Sequence, residues 1–371
     1  MKEKKERDSR YELLRIVSML LIILWHIIQH TNALNNSSGT FHYLISFVFI
    51  LISVHVNSFV MITGYYQYNK KVKYKKVLYL LGVVLFYNIA YEIINIYVLH
   101  KYVTPLDILE DTSILNLNNY WFINYYIILY LISPLLNKFI EHTTKKEHKN
   151  ILIIMFICFD LIPFITGQKA FSNNGLTIIG FIFIYIVGAY FAKYPIRESE
   201  CFKKFSNNKL RVTFLVLFLF TSFLNFINYQ FGESLATSNN EILRRVSDII
   251  TSQIIGYSNP FLFFQTIFYF LYFGELNIKS KIINSIGKIT FGVYLVHENK
   301  VVYNNLYSKI FAPITNNTPS RVFFKMIVIA IIIFVASIIV EYIRKGITIL
   351  LGKLKIVKRI KVKLSNYFGN F

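Results

Sequence analysis

The residues best suited to chemistry in this sequence sit where charge is expensive. The stretch "YELLRIVSMLLIILWH", Tyr11 to His26, is almost wholly apolar, yet it carries Glu12 and Arg15 near one end and His26 at the other. Histidine takes up and releases a proton near neutral pH. Arginine holds anions through a planar fork of donors. Arg15 and His26 stand eleven positions apart. At ~3.6 residues per turn this is close to three turns, so the two side chains point nearly the same way, about 16 Å apart along the axis. Glu12 stands three residues before Arg15 and can pair with it on one side of the helix. Each residue taken alone has a plainer explanation. Arg15 can snorkel to lipid head groups, and His26 can bond a neighbouring helix or water. Two such groups on one stripe favour a bundle interior or a polar pathway.

The elements that must position them follow from composition. The chain has 371 residues, 55% hydrophobic and only 16% charged, with a mean hydropathy of +0.48. A soluble domain of that size lacks the polar residues for its surface, whereas runs of about 20 apolar residues suit a bilayer. Ten such segments are expected, at roughly 11–30, 44–64, 77–97, 121–140, 151–165, 175–192, 210–229, 251–273, 286–304 and 322–343. Helices are the expected form, because short alternating barrel strands are not seen. The fold class is therefore all-α, a polytopic membrane bundle of about ten transmembrane helices. The first segment reads as a retained span, since no small-residue cleavage site follows it. Cys158 and Cys201 are too far apart in sequence to signal a disulfide framework.

Charge distribution orients the bundle. With the N-terminus in the cytoplasm, "NKKVKYKK", "EHTTKKEHK", "KYPIRESECFKKFSNNK" and the tail "RKGITILLGKLKIVKRIKVK" all fall inside. Outer connections are poor in Lys and Arg: "HTNALNNSSGTFHY" has none. This is the positive-inside pattern, with both termini cytoplasmic. The net charge of +21 is thus a topology signal and not a nucleic-acid footprint. The expected organisation is a membrane domain over 1–343 and a basic amphipathic cytoplasmic tail over 344–371. The histidines are scattered without ligand spacing, so no metal set is expected, and no Gly-x-Ser-x-Gly elbow is present. Asn57 and His55, in the middle of the second segment, should find partners in the bundle. Pro134 should kink or locally open the fourth.

The ordered set of motifs resembles membrane acyltransferase family 3, the integral-membrane O-acyltransferases that modify bacterial surface polysaccharides. Arginine, ten intervening residues and histidine in the first span is that family's most diagnostic feature, present here as "RIVSMLLIILWH" from Arg15 to His26. Three looser matches follow in order: "FVMITGYY" with Thr63 and Gly64, "WFINYYIILYLISPLL", and "FGVYLVHENK". The resemblance implies transfer of an acyl group, acetyl being the family's commonest, from acyl-CoA to a hydroxyl of a cell-surface polysaccharide or its lipid-linked precursor. It implies acyl-CoA as a donor substrate with no permanently bound cofactor, and a bacterial cytoplasmic membrane location. A sugar hydroxyl is a poor nucleophile, and a neutral histidine can accept its proton, a role that suits His26. The oxyanion that forms needs fixed donors. Arg15, about 16 Å away, is better placed as a donor-side ligand or a structural partner of Glu12. His297, at the outer end of the ninth segment beside Glu298, could orient the acceptor or support the base. Lys73 and Lys76 stand where the family shows arginines and suit the phosphates of CoA, although lysine lacks arginine's bidentate fork. Trp121, Phe122 and Tyr126, at the outer start of the fourth segment, could stack on a sugar or anchor the interface. Glu298 and Asn57 complete the expected acceptor contacts. Membrane lipids are expected neighbours, and a homodimer or partners in polysaccharide assembly are compatible with the resemblance. The main alternative is a transporter or flippase for a glycan or small solute, which also has many spans and a few intramembrane polar residues.

Overall fold

The computed structural model describes residues 7–113, 117–168, 173–254, 256–307 and 319–353, which form helices and turns, with no strand among them. Among the described residues, seven helical runs are long and apolar enough to cross a membrane. They are α1 (Ser9–His30), the tandem pair α2 (Gly39–Ile52) and α3 (His55–Gln67), α4 (Tyr74–Tyr97), Tyr120–Glu141, Lys145–Thr166, Asn207–Leu235 and Ser320–Leu351. This makes the protein an all-α, multi-pass membrane protein. Between α4 and the next span lies α5 (Pro105–Thr112), a short helix closed by a Thr104–Asp107 capping box. Its hydrogen bonds from Thr104 hold the Asp107 carboxyl below the usual aspartate range.

The expected and observed segments differ in informative places. The sixth segment forms α9 (Ile178–Lys193), apolar but shorter than a full span. The eighth is interrupted. α11 (Glu241–Ser252) ends, and α12 (Pro260–Gly274) restarts with Asn259 capping the N–H groups of Phe261 and Leu262. The ninth is divided among α13 (Lys281–Gly287), α14 (Thr290–His297) and α15 (Lys300–Val302). At about 1.5 Å per residue, eight-residue α14 is far shorter than a bilayer core. The helix α16 (Pro319–Leu351) runs past the expected boundary at 343. The tail from 354 onward lies outside the described residues.

The chain divides into two compact units. One comprises Met1–Lys71 and Ile128–Gly287, the other Val72–Ile127 and Lys288–Phe371. In the first unit, α3 and α9 approach so closely that glycine is required on both sides. A Cβ on Gly64 would lie 2.1 Å from the Tyr185 carbonyl oxygen, and one on Gly188 2.2 Å from that of Met61. The span α6 (Leu117–Glu141) departs from helical dihedrals at Tyr120, not at Pro134. Pro134 cannot donate to the Tyr130 carbonyl four residues back, and the Ser133 hydroxyl does so instead at 2.7 Å. The same device recurs beyond α7 (Lys145–Phe156). A π turn, Ile157–Leu161, leads into α8 (Ile162–Thr166) with Pro163 at its start. Pro163 cannot donate to the Phe159 carbonyl four residues back, and the Ser258 hydroxyl donates to it. Along α7 and α10 (Asn207–Leu235), Ile153, Ile154, Phe220 and Phe223 are exposed, as hydrocarbon-facing side chains should be. In the second unit, α14 packs on α4 and α16.

Candidate functional site

The candidate residues divide between the two units. The first holds Arg15, His26 and Asn57. The second holds Lys73, Lys76, Trp121, Tyr126, His297 and Glu298.

In the first unit, α1 is unbroken from Ser9 to His30, so Arg15 and His26 keep the one-stripe spacing of three turns. Asp8 starts the helix. Its Oδ1 accepts the Arg10 backbone N–H at 3.1 Å, and its two oxygens grip the Arg10 guanidinium at 2.9 and 2.7 Å. The far end of that guanidinium donates to the Gly274 carbonyl at 2.6 Å, tying α1 to the end of α12. Glu12 is buried, and its Oε1 accepts from both Arg15 at 2.9 Å and Arg7 at 2.8 Å. The carboxyl reaches this burial because Gly287 has no side chain: a Cβ there would stand 2.3 Å from Glu12 Oε2. The anticipated Glu12–Arg15 pair is therefore real, and Arg7 doubles it.

His26 is buried, with 9% of its surface exposed. The adjacent Trp25 ring lies 5.5 Å from its ring, and Trp25 also faces His55 at 5.6 Å and stacks on Phe49 at 5.2 Å. His55 is in turn placed by the break between α2 and α3. Its Nδ1 donates to the Ile52 carbonyl at 2.7 Å, and Tyr257 Oη approaches its Nε2 at 3.4 Å. A carbonyl only accepts, so Nδ1 carries the proton and Nε2 is the acceptor. Asn57 also finds its partner in this loop: Nδ2 donates to the Tyr257 carbonyl at 3.1 Å. His55 and Asn57 thus share one tyrosine. The structure puts Asn57 on a backbone carbonyl, where it braces the residue-257 loop.

In the second unit, His297 ends α14 with no exposed surface, and its Nδ1 lies 2.8 Å from the Val293 carbonyl. Glu298 follows as the C-cap, its N–H on the Tyr294 carbonyl at 3.1 Å. Trp121 and Phe122 meet edge to face, and Phe122 stacks on Tyr126 at 5.9 Å. Lys73 occupies the residue just before α4 and makes no side-chain bond to the helix start. Lys76 Nζ reaches Tyr126 Oη at 3.4 Å and lies 5.8 Å from the centre of its ring. A lysine expected on the donor side and a tyrosine expected on the acceptor side therefore touch.

Residues 8–343 match the family model Acyl_transf_3, described as an acyltransferase domain. The chain belongs to that family. No curated protein and no solved structure matches it. The match begins at Asp8, the cap of α1, and ends within α16, so this membrane acyltransferase domain includes all of the candidates above.

Sequence reasoning passed over several buried polar groups of the acyltransferase. Asp160 is 3% exposed and lies 2.9 Å from the Ser258 hydroxyl. Tyr91, Tyr120 and Asn299 make buried hydrogen bonds in the second unit. Glu341 and Arg344, 3% exposed each, pair within α16. For that last pair a signal existed. An acid and a base three residues apart near the end of an apolar run are positioned to pair and be buried.

Proposed function

We propose that the protein transfers an acyl group, acetyl in the first instance, from acyl-CoA to a hydroxyl of a cell-surface polysaccharide or its lipid-linked precursor in a bacterial cytoplasmic membrane. The family supports acyl transfer. The observation that carries the site is the unbroken α1, which buries His26 three turns from an arginine held by a carboxylate. Neutral His26 accepts the proton of the acceptor hydroxyl as its oxygen attacks the thioester carbonyl. The tetrahedral intermediate collapses, the carbon–sulfur bond breaks, and the imidazolium returns its proton to the CoA thiolate. An ester and free CoA result, with no acyl-enzyme. Arg15 serves on the donor side, fixed by Glu12, because about 16 Å of helix separates it from His26. Lys73 and Lys76 receive CoA phosphates as point charges. Tyr126, touching Lys76, belongs with them. His297, Glu298 and Trp121 serve the acceptor hydroxyl, and Asn57 supports that side through the residue-257 loop.

The deciding experiment compares wild type with His26→Ala for O-acylation of glycan from labelled acetyl-CoA. A loss of about 100-fold or more is expected for removal of a general base. Acylation surviving the substitution sinks the role of His26. Transport of unmodified glycan across vesicles without acylation would instead support a flippase.

A further inference from the structure

We infer that Tyr120, Tyr91 and Asn299 are positioning residues that hold the last turn of α14 so that His297 presents one fixed ring nitrogen. The inference rests on the reading above in which His297 serves the reaction. A helix leaves its final carbonyls without intrahelical donors, and in a buried setting each unpaired one is costly. The end of α14 is such a setting: Leu295 and His297 have no exposed surface. Two phenols from different helices supply the missing donors. Tyr120 Oη donates to the Leu295 carbonyl at 2.9 Å, and Tyr91 Oη donates to the Val296 carbonyl at 2.8 Å. These are the two residues immediately before His297.

The direction of the Tyr120 bond is itself set. Asn299 Nδ2 donates to Tyr120 Oη at 2.9 Å, filling a lone pair and leaving the phenolic hydrogen for Leu295. The Asn299 amide cannot turn over without loss, because its Oδ1 accepts the Val301 backbone N–H at 2.9 Å. A relay therefore runs from the residue two beyond His297, through Tyr120, to the residue two before it. A second point on α14 is also constrained. Gly292 lets the Glu341 carboxylate lie against the helix, where a Cβ would meet it at 2.2 Å. That carboxylate is itself held by the Arg344 fork at 2.7 Å on each oxygen and by Tyr87 Oη at 2.8 Å.

The consequence falls on His297. Its Nδ1 is 2.8 Å from the Val293 carbonyl, an acceptor only. Nδ1 therefore carries the hydrogen, and proton acceptance is confined to Nε2. The clamp keeps the turn that spans Val293 to His297 closed, and so keeps that tautomer and ring direction.

The test uses the full chain in lipid nanodiscs, with labelled acetyl-CoA as donor probe and the surface glycan of the expressing cells as acceptor probe. Tyr120→Phe and Tyr91→Phe should each lower kcat by about 10- to 100-fold, the range set by small misplacements of a reacting group, with KM for acetyl-CoA unchanged. Asn299→Ser keeps a cap for Val301 but is too short to reach Tyr120, and should cost less than Tyr120→Phe. In parallel, ¹⁵N spectra of the histidine rings, with the His297 signal assigned by its absence in His297→Gln, should show a single Nδ1–H tautomer in wild type. Tyr120→Phe should give a mixed or broadened signal. If His297→Gln turns over like wild type, the reading of His297 falls and the inference falls with it. If His297→Gln is slow while Tyr120→Phe, Tyr91→Phe and Asn299→Ser keep wild-type kcat and an unchanged tautomer signal, the clamp is a structural cap and this inference alone is overturned. Should one phenylalanine variant fail to fold, the other and Asn299→Ser carry the same comparison.

Discussion

Asp8 caps a helix and anchors an arginine with the same carboxylate, and its behaviour with pH follows. Burial pushes its carboxyl up, but the Arg10 guanidinium and the Arg10 backbone N–H outweigh that and hold it below the ordinary value of 3.8. A carboxyl depressed in the folded state contributes stability that is complete above its unfolded value and is lost as pH falls through its folded value. Asp8→Ala should therefore cost about 1 kcal/mol at neutral pH. The gap in unfolding midpoint between variant and wild type should narrow on acidification below about pH 4. A gap that stays constant would rule out the carboxylate as its source. Other residues differ in how far they could be read in advance. The Glu12–Arg15 pair was legible because three residues along a helix decide it. The partner of Asn57 was not, because Tyr257 lies 200 residues away.

Elements show the same division. The break at Asn259–Pro260 was written in the sequence, since Asn favours an N-cap and Pro the first helical turn. Apolar flanks hid it inside a run of span length. The α3–α9 contact could not be read, because nothing in a lone glycine says which backbone will press against it. Gly188→Ala should lower the thermal midpoint by an amount equal to about 1–3 kcal/mol or more, since the obstruction is backbone and must move as a helix. Gly82→Ala is the control. Nothing lies within 4 Å of its Cβ position, and it should stay within about 1 kcal/mol of wild type, on the stabilising side. Heating followed by size-exclusion detection of the monodisperse protein measures both. Equal losses would mean that close approach is not what Gly188 provides.

At the scale of the molecule, the lysine-rich connections and the seven long apolar runs among the described residues answer to the bilayer. The proposed orientation places the loop at Ser37 outside and that at Lys71 inside. With the exposed Cys158 and Cys201 replaced by serine, Ser37→Cys should react with an impermeant maleimide in intact cells. Lys71→Cys should react only after the membrane is opened. The reverse pattern would invert the topology and move the acyl-CoA side with it.

Hydropathy, the charge of the connections and the Arg15–His26 spacing were settled by the sequence, because bilayer thickness, positive-inside bias and helical pitch act on neighbouring residues alone. Tertiary structure decided the burial of Glu12 against Gly287, the contact of Lys76 with Tyr126, and the phenols that close α14. Each of these depends on a group brought from a distant part of the chain, and a polar group in a dry interior is satisfied by whatever partner the packing delivers.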